Sequence, residues 1–187
     1  MKDYRTVKEN ELEEVHKFDR NYVGSEDSFE EFKDRYEEIP ESFVVCVEDG
    51  EIIADVTGKM EGENTIGLQS IGVKEGYKRQ GIGSQILQFF EEKAEKYADK
   101  VTLASADNIE DFYRANDYKP VQIMLQVKKN KLPENYREKE EIVKEKEVDS
   151  ETVFLYAEFE DYSKELRDKL KEKFNAFEVN AIYEKKL

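Results

Sequence analysis

The chain has 187 residues, 38% of them hydrophobic and 40% charged, which predicts one main folded core with a smaller appendage. No stretch approaches the roughly 18 consecutive apolar residues that a transmembrane helix needs. The 45 acidic residues against 30 basic ones give a formal net charge of -15, which disfavours nucleic-acid binding because a negative surface repels phosphate groups. The single cysteine excludes an internal disulfide, and the first residues lack a signal-peptide pattern. We therefore predict a cytoplasmic protein with no membrane partner.

The N-terminal segment predicts a short strand followed by two helices. Asn10 and Glu13 have the spacing of a capping box, so we expect the first helix to begin there. Ser28 and Glu31 form a second capping box, and aromatic residues follow them at helical spacing. The second helix is expected to end before Pro40, whose ring is incompatible with a helix interior.

The next segment predicts a β-hairpin. Residues 43–47 and 52–56 are rich in β-branched side chains, and Asp49-Gly50 lies between them. This pair favours a type I′ turn, in which both central residues have positive φ. A further strand is expected over residues 65–73.

The second half of the chain alternates predicted helices and strands before a charged segment. An amphipathic helix begins at Ile82, and a short strand and a brief helix that Asp107 can cap come next. We predict a charged linker or arm at residues 131–150, after a first domain at residues 1–130. Residues 151–187 predict a β-α-β extension, which is too small to bury its own core and must dock on the first domain or on a second subunit.

The most informative segment is residues 71–84, where a strand runs into a loop that opens directly into a helix. Glycines let the backbone approach a ligand closely, and the free N–H groups at a helix start favour a bound phosphate. Lys78 and Arg79 add positive charge in an otherwise acidic chain. The loop therefore has the features of an anion-binding site, although a helix entry loosened by glycine is the structural alternative.

Two motifs in this half of the chain resemble those of the GNAT superfamily of acetyltransferases. Residues 78–83 read Lys-Arg-Gln-Gly-Ile-Gly and resemble the loop that binds the pyrophosphate of acetyl-CoA, with Lys78 at the usual Arg or Gln position. Residues 105–118 resemble the second signature, with Asp117-Tyr118 in place of the usual Gly-Phe; aspartate can adopt the left-handed conformation at a helix end. The resemblance covers about residues 1–128.

The resemblance implies an α/β (α+β) fold with a mixed, mostly antiparallel sheet flanked by helices, and acetyl-CoA as co-substrate. A strand contributes backbone groups to the pantetheine arm, the loop holds the pyrophosphate, and Asn108 contacts the cofactor. Tyr113 is the implied general acid beside the thioester sulfur; a packing role next to Phe112 is the alternative. The positions implied for cofactor binding are Ile71, Gly72, Val73, Lys78, Arg79, Gln80, Gly81, Ile82, Gly83, Ser84 and Asn108.

The general base is not evident from the sequence. An alkylammonium acceptor must lose a proton before it attacks a thioester, and many relatives carry a glutamate on the central strand. Here Gly67 occupies that position. Gln69 and Ser70 can orient water but cannot act as bases, and Glu61 and Glu63 are expected to be exposed turn residues.

The predicted function is transfer of acetyl from acetyl-CoA to a primary amine, by direct attack in a ternary complex. The acceptor is a small molecule or a protein amine, and the acidity of the chain favours a cationic acceptor but equally fits a solvated surface. The alternatives are an acyl-CoA-binding regulatory module with weak catalysis, and an acidic interaction protein whose tail, the extension at residues 151–187, mediates assembly. The edge strands of the tail could pair across a two-fold axis in a homodimer.

Overall fold

The computed structural model describes residues 1–105, 109–139 and 141–187. These residues fall into two compact units. The first unit comprises residues 1–102 with 186–187, and the second comprises residues 103–185. Asp107 lies outside the described residues, and so does the helix cap predicted there.

The first unit alternates strands and helices in a mixed α/β arrangement. Its elements are β1 (Asp3–Thr6), α1 (Leu12–Tyr22), α2 (Phe29–Glu38), β2 (Phe43–Glu48), β3 (Glu51–Met60), β4 (Thr65–Val73) and α3 (Ile82–Ala94). Strand β5 (Lys100–Ser105) begins in this unit and ends in the second. The strand order is β1-β2-β3-β4-β5. All neighbours are antiparallel except β4 and β5, which are parallel.

Helices cover both faces of this sheet. Four successive residues of β2, from Phe43 to Cys46, are buried, although successive side chains of a strand point to opposite faces. Helices α1 and α2 contact β3, and α3 packs on β2, β3 and β4. One continuous apolar cluster joins α1 and α2 to the sheet: Val7, Leu12, Val15, Phe18, Phe32, Phe43, Val45 and Ile52. The fold class expected from the sequence is confirmed.

The local predictions for this unit have mixed outcomes. The hairpin is confirmed, because Asp49 and Gly50 have φ of 52° and 83°, as a type I′ turn requires. The capping box of α2 is also confirmed, since the Glu31 N–H donates to Ser28 Oγ at 3.2 Å. The cap expected at Asn10 is wrong. A 3-10 turn precedes α1, and the Lys8 N–H donates to Glu11 Oε2 at 3.1 Å.

The second unit is built on antiparallel strands with one longer helix. It contains α4 (Glu110–Ala115), β6 (Lys119–Lys128), β7 (Ile142–Glu147), β8 (Thr152–Ala157), α5 (Lys164–Lys173) and all but the last residue of β9 (Glu178–Lys186). Strand β6 lies between β9 and β8, and β7 pairs with β8. Helix α5 packs against β6. The buried side chains of this core are Ile123, Leu125, Val127, Val153, Leu155, Ala157, Leu170, Phe174, Ala176 and Val179.

The charged segment predicted as a linker or arm has secondary structure of its own. Strand β7 lies within residues 131–150, and five of its six residues are exposed. The strand forms because its backbone groups pair with β8, which requires no apolar side chains. None of the helices in the described residues is long and apolar enough to cross a membrane.

Candidate functional site

The cationic loop links β4 to α3 through a sharp change of backbone direction. A 3-10 turn at Glu75–Tyr77 follows β4, and Lys78 is extended, with ψ of 154°. Arg79 and Gly81 then adopt the left-handed conformation, with φ of 60° and 79°. This region is uncommon for a residue with a side chain such as arginine. The change from extended to left-handed backbone turns the chain, so that α3 begins directly after Gly81.

Six successive backbone N–H groups in this loop and helix start make no well-formed hydrogen bond in the described part of the chain. They belong to residues 79–84. The first N–H of the helix to be bonded is that of Gln85, which donates to the Gly81 carbonyl at 3.1 Å. No atom lies within 4 Å of the position that a side chain at Gly81 would take. Together with the positive end of the helix dipole, these groups fit a bound anion such as a diphosphate.

The two cations of the loop differ in their surroundings. The Lys78 ammonium lies 2.7 Å from the Glu75 carboxylate, and both side chains are exposed. The hydrogen bond from Lys78 lowers the pKa of Glu75. Arg79 is exposed and has no carboxylate within 4.0 Å in the described residues. We infer that Arg79 is the cation more available to a ligand.

The end of β4 presents one backbone edge next to this loop. Ile71, Gly72 and Val73 pair with β3 on one side. The pairing of β4 with β5 covers three residue pairs and reaches Gly67 opposite Thr102. Within the described residues of the first unit, β4 beyond Gly67 pairs only with β3. Its outer edge is therefore able to hydrogen-bond a ligand in an extended conformation.

Packing explains why position 72 is a glycine, in addition to its predicted role in cofactor binding. It is buried, and a Cβ atom there would lie 2.6 Å from Asp55 Oδ1 and 2.9 Å from Val23 Cγ2. Both distances are shorter than van der Waals contact allows. The glycine is therefore required by the approach of the Asp55 carboxyl to the β4 backbone.

Asp55 belongs to a pair of buried carboxyl groups. Asp55 and Asp19 have no exposed surface, and none of their four carboxyl oxygens has a well-formed hydrogen bond in the described residues. Burial raises the pKa of Asp55 well above its ordinary value, and the neighbouring Asp19 carboxyl group raises that pKa further. Asp55 therefore holds its proton to a higher pH than an exposed aspartate does.

Replacing Asp55 with asparagine is expected to stabilise the protein at neutral pH. A raised pKa in the folded state means that the fold loses stability as pH rises above about 4, with a slope of up to about 1.4 kcal/mol per pH unit. Asparagine carries no charge and can donate its amide to Asp19, so the decline should flatten. Urea unfolding from pH 4 to pH 8 measures this, with Asp34→Asn on the exposed face of α2 as the control. An unchanged pH profile would contradict it.

Tyr113 lies in the second unit, on α4. Its side chain is 3% exposed and packs among aromatic rings, with centroids at 5.2 Å for Phe112, 5.8 Å for Tyr118 and 6.2 Å for Tyr183. Burial raises the pKa of Tyr113 to about 12. The phenol is therefore protonated at neutral pH, which suits a proton donor and excludes a general base.

The end of α4 has the conformation expected from the sequence. Asp117 has φ of 67°, and the Tyr118 N–H donates to the Tyr113 carbonyl at 3.1 Å. Aspartate thus replaces the usual glycine at the left-handed position. Asn108, predicted to contact the cofactor, lies outside the described residues.

Two carboxylates, those of Glu61 and Glu110, make contacts that the sequence did not predict. Glu61, expected to be an exposed turn residue, is exposed, but its side chain folds over Gly67. Glu110 joins α4 to α5 and β9 within the second unit. The only sequence signal for Glu110 is its spacing of four residues from Arg114, with which it pairs at 3.4 Å.

Comparison with solved structures identifies similar folds. An N-acetyltransferase from Escherichia coli, whose substrate is the alanine of a ribosomal protein, is 15% identical with a TM-score of 0.55, over 88% of this chain and 97% of that one. Diaminobutyrate acetyltransferase from Paenibacillus lautus, in complex with its substrate and coenzyme A, is 14% identical with a TM-score of 0.56, over 87% of this chain and 99% of that one. A GNAT-family acetyltransferase from Staphylococcus aureus is 16% identical with a TM-score of 0.54, over 84% and 99% of the two chains. At these identities the likeness concerns the fold alone.

A comparison with curated proteins finds no match. The family model described as "Acetyltransferase (GNAT) family" matches residues 9–118, which is more than half of the chain. The matched range contains the loop at residues 78–84 and the helix that carries Tyr113. The expected co-substrate, acetyl-CoA, agrees with this match. The chain therefore belongs to the acetyltransferase (GNAT) family.

Proposed function

We propose that the protein is an N-acetyltransferase, which transfers the acetyl group of acetyl-CoA to a primary amine by direct attack in a ternary complex. The observation that carries the proposal is the run of N–H groups without a well-formed hydrogen bond over residues 79–84. An anion with several oxygens satisfies such a run better than water does, because the groups are already oriented. Arg79 adds a charge at the same loop.

The same chain segment supplies the other contacts that the co-substrate needs. The outer edge of β4 at residues 71–73 would hydrogen-bond the pantetheine arm, and an N–H of this edge would stabilise negative charge on the thioester oxygen. When bound, acetyl-CoA supplies the activated acetyl group. The chain's own contribution is then to hold donor and acceptor close together and to manage the protons.

The acceptor is proposed to be a cationic amine, either a small molecule or an amine of a protein. An open pocket of about 410 Å³ in the first unit is lined by four carboxylates of α2 and the segment before it, together with Arg35, Lys59 and Gln69. Arg35 pairs with Asp27, and the four carboxylates of the pocket outnumber its two cations, so the pocket has a net negative charge. Among the similar structures, one acetyltransferase is named for diaminobutyrate and another for a protein alanine.

Replacing Tyr113 with phenylalanine is expected to lower turnover about tenfold to a hundredfold, because the departing thiolate loses its proton donor. The affinity for acetyl-CoA should stay within about twofold, since the ring and its aromatic contacts are kept. Steady-state thiol release and calorimetry measure the two quantities. Tyr118→Phe, on a neighbouring buried ring, is the matched control. Equal turnover in wild type and Tyr113→Phe would remove Tyr113 from the mechanism.

The function is tested by an amine-dependent release of thiol from acetyl-CoA. The panel should contain alkyl diamines, polyamines, free amino acids, aminoglycosides and peptides with a free N-terminus. Release that depends on one amine class supports the proposal. Tight binding of acetyl-CoA without release for any amine would favour the acyl-CoA-binding module instead. The cytoplasmic location and the tail-mediated homodimer stay predictions, and a monomeric mass in solution would refute the homodimer.

A further inference from the structure

The proposed reaction needs a proton acceptor that the sequence did not identify. An alkylammonium ion has no free electron pair, so it must lose a proton before its nitrogen can attack a carbonyl carbon. Gly67, at the central strand, provides no side chain, and Gln69 and Ser70 cannot be bases at neutral pH. A side chain that takes the proton must therefore come from an element other than β4.

Glu61 occupies the space that a side chain at Gly67 would fill. A Cβ atom built at Gly67 would lie 2.8 Å from Glu61 Cγ and still closer to its carboxyl carbon and Oε1. Glu61 follows β3 directly, and its N–H donates to the Thr65 carbonyl at 2.9 Å. The turn between β3 and β4 thus folds the Glu61 side chain back over Gly67, the third residue of β4.

Two neighbours hold the carboxylate in this position. Thr102 Oγ1 on β5 donates to Glu61 Oε2 at 3.0 Å, and Gln69 Nε2 on β4 is 3.5 Å from Glu61 Oε1. Gly67 and Thr102 are also the last residue pair of the β4–β5 pairing. The carboxylate therefore lies where the hydrogen-bonded ladder between these strands ends, which is where the free edge of β4 begins.

The surroundings of Glu61 suit a group that receives a cation. Gln69 contacts Glu61 and also lines the acidic pocket of about 410 Å³. Glu61 is exposed, and it makes no ion pair with Lys59, which lines the same pocket, in the described residues. Its negative charge is thus available to a ligand, while the hydrogen bond from Thr102 orients the carboxylate.

We propose that Glu61 binds the ammonium group of the acceptor and takes its proton, so that it replaces the side chain absent at Gly67. This inference rests on the proposed function. One proton of the ammonium passes to the Glu61 carboxylate and then to solvent, and the freed electron pair forms the C–N bond. The C–S bond breaks, and its electron pair leaves on sulfur. The second proton of the nitrogen is lost as the amide forms, while the sulfur takes one proton, so that one proton is released per turnover.

Glu61→Gln is the direct test, because glutamine keeps the shape and the Thr102 contact but cannot accept a proton. With the best acceptor of the amine panel, we expect kcat to fall about tenfold to a hundredfold. The acceptor's affinity for the protein saturated with coenzyme A should also fall, which calorimetry measures without turnover. Affinity for acetyl-CoA should not change. Glu63→Gln, in the same turn and exposed, is the matched control and should behave as wild type.

Gly67→Ala tests the position of the Glu61 carboxylate, because it leaves the carboxylate itself unchanged. The added methyl group must displace the end of the flexible Glu61 side chain, so the fold should survive while the carboxylate moves. We expect the same loss of kcat as for Glu61→Gln, and no further loss in the double variant. Fully additive losses would show that the two residues act independently and would overturn the proposal.

An acceptor analogue with fluorine next to the amine separates proton removal from cation binding. Its ammonium is more acidic, so a larger fraction of the nitrogen is already free, and the Glu61→Gln defect in kcat should shrink. A defect of the same size with both amines would overturn the role as proton acceptor. If wild type and Glu61→Gln turn over the parent amine equally, the proposal for Glu61 fails while the acetyltransferase function stands. If the wild type acetylates no amine, the proposed function itself fails.

Discussion

Replacing Gly81 with glutamate is expected to weaken acetyl-CoA binding by about 100-fold, which corresponds to about 2.7 kcal/mol. The residue has φ of 79°, a conformation that costs any side chain about 1–2 kcal/mol. The new carboxylate would also enter the open space in front of the N–H groups of residues 79–84, where it repels a diphosphate. Calorimetric titration with acetyl-CoA measures the affinity.

Gly50→Glu is the matched control for this variant. Gly50 has φ of 83° and equally open space around its Cβ position, so the control shares the backbone strain and the added charge. It lies in the β2–β3 turn and should leave the affinity within about twofold. Binding of acetyl-CoA to Gly81→Glu with the affinity of the wild type would show that the loop is only a helix entry.

Replacing Glu110 with alanine is expected to destabilise the second unit by about 3–5 kcal/mol, the usual cost of removing one partner of a buried ion pair. Glu110 Oε1 lies 2.6 Å from Arg167 Nη1, and their side chains are 12% and 7% exposed. The same carboxylate accepts hydrogen bonds from the hydroxyl groups of Tyr162 at 2.6 Å and Tyr183 at 3.0 Å. The variant removes this carboxylate from the Arg167 guanidinium and from both tyrosine hydroxyl groups.

Urea unfolding followed by circular dichroism measures the loss of stability in Glu110→Ala. Asp111→Ala removes an exposed carboxylate from the next position of α4 and should change the free energy of unfolding by less than about 0.5 kcal/mol. Because Glu110 and Tyr113 share α4, we also expect Glu110→Ala to lower turnover. A loss of stability below about 1 kcal/mol would show that the carboxylate does not hold the C-terminal segment to α4.

Sequence patterns predicted the structural features that depend only on residues close together in the chain. The Asp49-Gly50 turn depends on two adjacent residues that tolerate positive φ, and the structure has both. The glycine spacing at residues 81–83 likewise encodes a strand-to-helix turn without any distant contact. Family motifs then added the ligand, because they relate this turn to a loop of known chemistry.

The same sequence patterns could not predict which side chains contact each other in the fold. The position of Glu61 depends on Thr102, 41 residues away, and on the absence of a side chain at Gly67, so no local pattern marks it. The start of α1 depends on a pair that the capping pattern did not include, since Arg5 donates to both Glu11 oxygens at 2.6 and 2.7 Å in the 3-10 turn before the helix. The pair holds Glu11 where it accepts the Lys8 N–H. The helix therefore begins after Glu11, and the capping box expected from Asn10 and Glu13 does not form.

The most direct test of the acetyltransferase function is to quantify both products of one reaction. The protein is incubated with acetyl-CoA and the best amine of the panel, free thiol is measured by colorimetry, and the acetylated amine is measured by mass spectrometry. We expect one acetylated amine for each coenzyme A released, with both products absent when either substrate is omitted. Thiol release at the same rate without an amine, or acetyl-CoA binding with neither product from any amine, would contradict acetyl transfer to an amine.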